Sequence, residues 1–257
     1  MNKKIKEISL ILVLFILLIL IIKPHLVFNR TNDYIVRWTF DGSIAADTTG
    51  RYNWTYYDSN VAQIENGKIG KAISYKDEGI LAMQSPTNEI ELKTEGEGTW
   101  SYWLKINLWG NAQDNWESQP DLRTFGIDKQ FWNNDSFIKI LANGTVCGKF
   151  QNDYTDIGTE GCRLYLGELN KSIKINEWSL YTMTWNKTSW KFYLNNLSVA
   201  ESKNISVIIP KSYNDTHFFI GISYAPLKDI EWEMDDLRIY DRDLTPKEVS
   251  KLYKESE

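Results

Sequence analysis

From residue 34 to the C-terminus, apolar positions recur in short runs broken by Gly, Asn, Ser and Thr, a rhythm that belongs to strands and turns. Residues 99–107 set Trp100, Tyr102, Leu104 and Ile106 against Thr99, Ser101, Trp103 and Lys105, one set for each face of a pleated strand. Residues 179–185 and 190–194 flank the polar stretch 186–189 and predict a hairpin; residues 216–223 predict another strand. In Glu231–Tyr240, period two places Glu231, Glu233, Asp235, Leu237 and Ile239 on one face and Trp232, Met234, Asp236, Arg238 and Tyr240 on the other. The pattern then changes. Thr245 is a good N-cap, Pro246 fits the first helical position, Glu248 completes a capping box, and Val249, Leu252 and Tyr253 share a face. Many short strands, no βαβ alternation and one terminal helix predict an all-β, antiparallel jelly-roll β-sandwich with a short C-terminal helix.

The first thirty residues follow a different rule. Lys3, Lys4 and Lys6 precede residues 8–22, whose one polar member is Ser9, and Lys23 and Pro24 end the run. A basic region followed by an apolar core is either a signal peptide or a short membrane span. No small-x-small cleavage pattern follows in KPHLVFNR, which favours an uncleaved signal anchor: a cytoplasmic stub and transmembrane helix in residues 1–30, and one domain over residues 31–257. Lysines before the span would keep the N-terminus in the cytoplasm, placing the domain at the cell membrane on the extracellular side; cleavage would make it secreted.

Composition agrees with export. Nine Asn-x-Ser/Thr sequons (Asn29, Asn53, Asn134, Asn143, Asn170, Asn186, Asn196, Asn204, Asn214) stand where this composition gives about three by chance, though an Asn- and Thr-rich chain with polar turns also generates sequons that carry no glycan. Two cysteines, Cys147 and Cys162, could close one loop outside the cell or remain free thiols in a core; with only His25 and His217 they make no zinc pattern. Residues 1–30 hold five basic side chains and Glu7, so the remainder carries a formal charge of −9 against −5 for the whole. Nucleic acid and anionic lipid are thereby excluded as partners of the domain.

The closing run MDDLRIYDRDLTPKEVSKLY resembles the C-terminal signature of laminin-G-like jelly rolls of the concanavalin A-like lectin/glucanase superfamily: an Asp pair, a strand ending in Arg-x-Tyr, and a Leu-Thr-x-x-Glu helix. WTFDGSIAADTTG resembles that family's opening strand, NGKIGKAISY its Gly-x-x-Gly strand, EWSLYTMTWNKTSWKFYLNN its central hairpin, and FFIGIS its Ile-Gly strand, all in order. The resemblance implies a structural Ca²⁺ held by Asp41, the Gly67 region and Asp235, with Asp236 a weaker candidate. The alternative is an Asp235 that accepts backbone N–H groups at a sheet corner.

Fold alone leaves function open. A retaining glycosidase needs two carboxyl groups about 5–5.5 Å apart, and Glu231 and Glu233 are the pair to test. Against this, the superfamily's catalytic strand lies mid-chain, whereas Glu231–Tyr240 runs directly into the closing helix. For sugar binding, Trp109, Trp116 and Trp132 sit among Asn, Gln and Asp in the longest polar connection, available either to stack on sugar rings or to roof the core. The expectation is a membrane-anchored, non-catalytic recognition module for a surface glycan or an envelope or cell-surface protein. The alternative is a structural or self-associating adhesion protein.

Overall fold

The alternating runs become strands. The computed structural model describes residues 33–44, 46–48, 50, 52–54, 56–76, 81–86, 97–108, 121–129, 136–141, 146–149, 164–165, 174–203, 216–222 and 231–256. The chain divides into two units, Met1–Asp33 and Tyr34–Glu257. Residues 1–32, and the expected signal anchor with them, lie outside the described residues; among the described residues no helix is long and apolar enough to cross a membrane.

Among the described residues, fifteen strands and one helix follow in the order β1 Val36–Trp38, β2 Tyr56–Tyr57, β3 Val61–Ile64, β4 Ala72–Lys76, β5 Leu81–Pro86, β6 Gly98–Leu108, β7 Asp121–Lys129, β8 Ser136–Leu141, β9 Val146–Lys149, β10 Leu164–Tyr165, β11 Ser179–Asn186, β12 Ser189–Leu194, β13 Leu197–Lys203, β14 Thr216–Ile222, β15 Glu231–Tyr240 and α1 Pro246–Glu255. They form two antiparallel sheets. One runs β13-β12-β11-β6-β15-β4-β3, with β1 also paired to β15; the other runs β10-β9-β8-β7-β14-β5-β2.

Alternation decides what is buried. Trp100, Tyr102, Leu104 and Ile106 of β6, Tyr181, Met183 and Trp185 of β11, and Trp190, Phe192 and Leu194 of β12 enter one core with Ile220 of β14, so the two sheets meet there. Each such aromatic or aliphatic side chain contributes about 1.5–3 kcal/mol on burial. The opposite face of the first sheet is covered in part by α1: Trp103, Leu180, Tyr193 and Tyr240 pack with Leu244, Val249 and Leu252. Tyr253 stacks on Trp103 with ring centroids 5.7 Å apart. Trp103, grouped with polar residues in the alternation, is thus buried by the helix.

β15 departs from strict period two. Asp235 pairs with Trp103 and Arg238 with Ser101, so three steps on β15 oppose two on β6, and Asp236 takes a left-handed φ of 49°. This is a β-bulge. It reverses the alternation mid-strand, so Trp232 and Met234 before it and Leu237 and Ile239 after it all enter the same core. The single face expected to carry Glu231, Glu233, Asp235, Leu237 and Ile239 does not exist.

The helix begins as expected. Thr245 Oγ1 accepts the Glu248 N–H at 3.3 Å, and Glu248 Oε2 accepts the Thr245 N–H at 2.8 Å. Burial pushes the Glu248 carboxyl up, but Thr245 and Arg242 outweigh it and hold the group below the usual carboxylate range. Thr245→Ala is expected to cost about 1 kcal/mol, a fall in Tm of about 2–4 °C for a domain of this size in a thermal melt.

Candidate functional site

The bulge sits at a junction of three chain segments. On one edge of β15, β4 pairs with Glu231–Met234 and β1 with Leu237–Ile239, and Asp235 and Asp236 lie between them. The turn joining β3 to β4 reaches this place. It is closed by Gly67 N–H donating to Gly70 O at 2.8 Å. Ile69 N–H donates to Asp235 Oδ2 at 2.7 Å, and Lys71 N–H donates to Asp41 Oδ1 at 2.8 Å. The two glycines are required by contact. A Cβ on Gly67 would stand 2.9 Å from Asp235 Oδ2 and 2.7 Å from the Lys71 carbonyl; one on Gly70, whose φ is +72°, would stand 2.1 Å from Asp41 Oδ1. Asp41, Gly67 and Asp235 are therefore brought to a single turn.

Asp235 is fully buried, and its Oδ1 has no hydrogen-bond partner. Burial pushes its carboxyl up to about 7; the Ile69 N–H and, more weakly, the Asp236 N–H pull the other way, as expected of an Asp that accepts backbone N–H groups at a sheet corner, and the charges of Asp236 and Asp41 add to the rise. A buried carboxylate with an orphaned oxygen, a second carboxylate at the same turn and backbone carbonyls nearby fit a hard, oxygen-seeking cation. Among the described residues no group of three or more His, Cys, Asp or Glu could hold a metal, so carbonyl oxygens or water would have to complete the set.

Asp236 is engaged elsewhere. Its Oδ1 accepts from Arg37 Nε at 2.6 Å and Arg238 Nε at 3.1 Å, and its Oδ2 from Arg238 Nη2 at 2.5 Å. Burial works against the Arg238 charge, but Asp236 outweighs it and keeps the guanidinium charged. The bulge turns both aspartates out of the core, one toward the turn and one between two arginines.

The two glutamates are likewise occupied. Glu231 pairs with Lys76. Glu233 accepts from Asn107 Nδ2 at 2.6 Å and pairs with Lys105 Nζ at 2.5 Å, and Lys105 lies 5.3 Å from the centre of the Trp178 ring. The other expected residues, Trp109, Trp116 and Trp132, lie outside the described residues, as does Cys162; Cys147 sits on β9 opposite Tyr165 of β10. The sequence motifs include Gly70 and Arg238 without giving either a role, and they do not reach Arg37 or the Lys71 N–H. A Gly-x-x-Gly between strands signals a turn needing positive φ and would have found Gly70.

Residues 82–250 match a laminin-G family model described as the concanavalin A-like lectin/glucanases superfamily. The chain belongs to this superfamily. No curated protein matches it. Among solved structures, the laminin-G-like chain is similar to the binding domain of Paraclostridial Mosquitocidal Protein 1, with TM-score 0.63 and 16% identity over 88% of this chain and 52% of that one. It is similar to the binding domain of Botulinum neurotoxin DC in complex with rat synaptotagmin II, with TM-score 0.59 and 16% identity over 88% and 52%. It is also similar to domain 4 of AbnA, a GH43 extracellular arabinanase from Geobacillus stearothermophilus in complex with arabinotriose, with TM-score 0.57 and 18% identity over 86% and 98%. The chain spans about half the length of the toxin binding domains it matches. At these identities the shared property is the fold.

Two outcomes follow from the geometry. Asp236→Ala leaves the buried Arg238 guanidinium without its carboxylate and is expected to cost about 3–5 kcal/mol in denaturant unfolding, whereas Lys76→Ala, at an exposed pair, costs under about 1 kcal/mol. The pH dependence has a definite sign. Asp235 holds its proton more tightly folded, at about 7, than unfolded, near the ordinary value of 3.8, so with EDTA present its contribution is full below about pH 4 and is lost as pH rises through 7. Melts in EDTA should show Asp235→Asn losing less stability than wild type between pH 4 and 7.

Proposed function

We propose that the chain is a non-catalytic recognition module, displayed outside the cell on an N-terminal membrane anchor, whose sandwich binds a surface glycan or an envelope or cell-surface protein. The observation that carries this reading is the use of the closing-strand carboxylates. Glu231 and Glu233 each hold a lysine, Asp236 holds two arginines, and Asp235 holds the Gly67–Gly70 turn. A retaining glycosidase needs one carboxylate free to attack and another poised to give up a proton. Here each of the four has a partner within the domain, which supports the non-catalytic reading.

The superfamily and its structural neighbours support binding as the role. Two of the similar structures are toxin binding domains, one of them in complex with rat synaptotagmin II, and a third is in complex with arabinotriose. One neighbour is thus complexed with a protein and another with a saccharide. In this chain, Trp109, Trp116 and Trp132 would supply the stacking faces a sugar needs. Asp41, Asp235 and carbonyls near Gly67 would hold a structural Ca²⁺. The ion would supply the positive charge that the buried Asp235 otherwise lacks.

The purified chain is to be melted with Ca²⁺ and with EDTA, and screened on a glycan array. Expected are a higher Tm in Ca²⁺, lost in Asp41→Ala and Asp235→Ala, and a sugar class whose binding is lost in Trp109→Ala, Trp116→Ala or Trp132→Ala. Failure of every glycan together with concentration-dependent self-association would replace the reading with the structural one. Saccharide hydrolysis abolished by Glu231→Gln or Glu233→Gln would replace it with an enzyme.

A further inference from the structure

Two sequons stand at the two ends of β12, and the fold treats them in opposite ways. At the end of β11, the Asn186 carboxamide is used at both ends. Its Oδ1 accepts from the Thr188 and Ser189 N–H groups at 3.1 and 3.0 Å and from their hydroxyls at 3.3 and 3.0 Å, while Nδ2 donates to Asp243 Oδ2 at 3.0 Å. These contacts form the β11–β12 turn and tie it to the loop that precedes α1. Asn196 lies in the two-residue turn between β12 and β13, where Leu194 pairs with Leu197. Its neighbour Asn195 takes the strained position, with φ 58°. Asn195 also makes the anchoring contacts: its N–H donates to Leu180 O at 2.7 Å, and its Oδ1 accepts from Leu180 N–H at 2.9 Å. Asn196 is exposed and makes no hydrogen bond among the described residues; Ser198, the hydroxyl of its sequon, is exposed, and Leu197 between them is 67% exposed.

We infer that Asn196 is an N-glycosylation site of the exported chain and that Asn186, with the same sequon chemistry, is not. The inference rests on the export reading above. In the step concerned, Asn196 Nδ2 attacks the anomeric carbon of a lipid-diphosphate-linked oligosaccharide. A C–N bond replaces the C–O bond, the lipid diphosphate leaves, and the amide loses one proton. A sugar on Asn196 projects into solvent and costs the fold no contact. One on Asn186 takes an N–H from the nitrogen that faces Asp243 and crowds the turn on which the hairpin closes.

The placement has a consequence for the sheet. β13 is the end strand of its sheet among the described residues. An end strand offers unpaired backbone groups to another chain, and proteins usually blunt such edges with charge, bulges or cover. β13 begins with the exposed Leu197 and pairs irregularly with β12 near Phe192 and Tyr193. A glycan on Asn196 stands at the mouth of this edge and covers it. Its partner class is therefore the cell's oligosaccharide-transfer machinery, and its effect is to keep copies of the domain apart.

The test uses the full chain expressed in a mammalian secretory pathway, with glycopeptides mapped by mass spectrometry and association followed by size-exclusion light scattering. Expected are a glycan on Asn196, none on Asn186, loss of one glycan's mass in Asn196→Gln and in Ser198→Ala, and no mass change in Asn186→Gln. Asn196→Gln should also shift the chain toward dimers or larger species, and Leu197→Ser in the same background should reverse that shift. An empty Asn196 beside other occupied sequons, or a glycan on Asn186 of folded chain, overturns the inference and leaves export standing. A chain with no glycan at any sequon overturns both.

Discussion

A single extra residue in the closing strand organises the rest of the laminin-G-like domain. Without the bulge at Asp235 and Asp236, strict alternation would send either Trp232 and Met234 or Leu237 and Ile239 out of the core. A residue in left-handed conformation costs about 1–3 kcal/mol when it is not glycine, and Asp236 has φ 49°. That cost is offset by the pair of apolar side chains it keeps inside and by the Arg37 and Arg238 contacts that hold Asp236 in place. The bulge also ends the pairing of β4 and starts that of β1 on the same edge, opening the gap that the Gly67–Gly70 turn fills.

The electrostatics follow from this backbone geometry. The bulge turns two adjacent carboxylates out of the core, one toward the Gly67–Gly70 turn and one between two arginines. Asp236 is matched by two guanidinium groups, one of them 6% exposed. Asp235 takes the Ile69 N–H on Oδ2 and a weaker pull from the Asp236 N–H, while its Oδ1 has no hydrogen-bond partner. An unpaired buried carboxylate is expensive; it is relieved by a proton or by a cation. A carboxyl pushed up to about 7 by burial takes up a proton more readily than an ordinary one, and a bound cation would remove the need for it.

Local patterns were legible in the sequence. The β11–β12 hairpin, the limits of β15 and the capping box at Thr245 depend on neighbours within a few residues, and each appears where alternation and turn chemistry place it. What escaped depends on partners distant in the chain. Nothing in EWEMDDLRIY marks the extra residue, because the bulge is set by registers with β1, β4 and β6. Trp103 reads as a misplaced aromatic on a polar face until α1 arrives to cover it. Asp41 and Asp235 were reached through the family resemblance, whereas Arg37, 199 residues from Asp236, carries no signal of its pairing.

The same reading separates scaffold from ligand surface. Glu231 and Glu233, the pair that spacing offered for catalysis, each have a lysine partner. The central proposal is that Ca²⁺ would supply the partner that Asp235 Oδ1 lacks. Calorimetric titration of the purified, chelator-stripped chain with Ca²⁺ tests it most directly. One binding event per chain, lost in Asp235→Asn but kept in Glu231→Gln, is the predicted result; no heat of binding to the wild-type chain, or binding that survives Asp235→Asn unchanged, would contradict it.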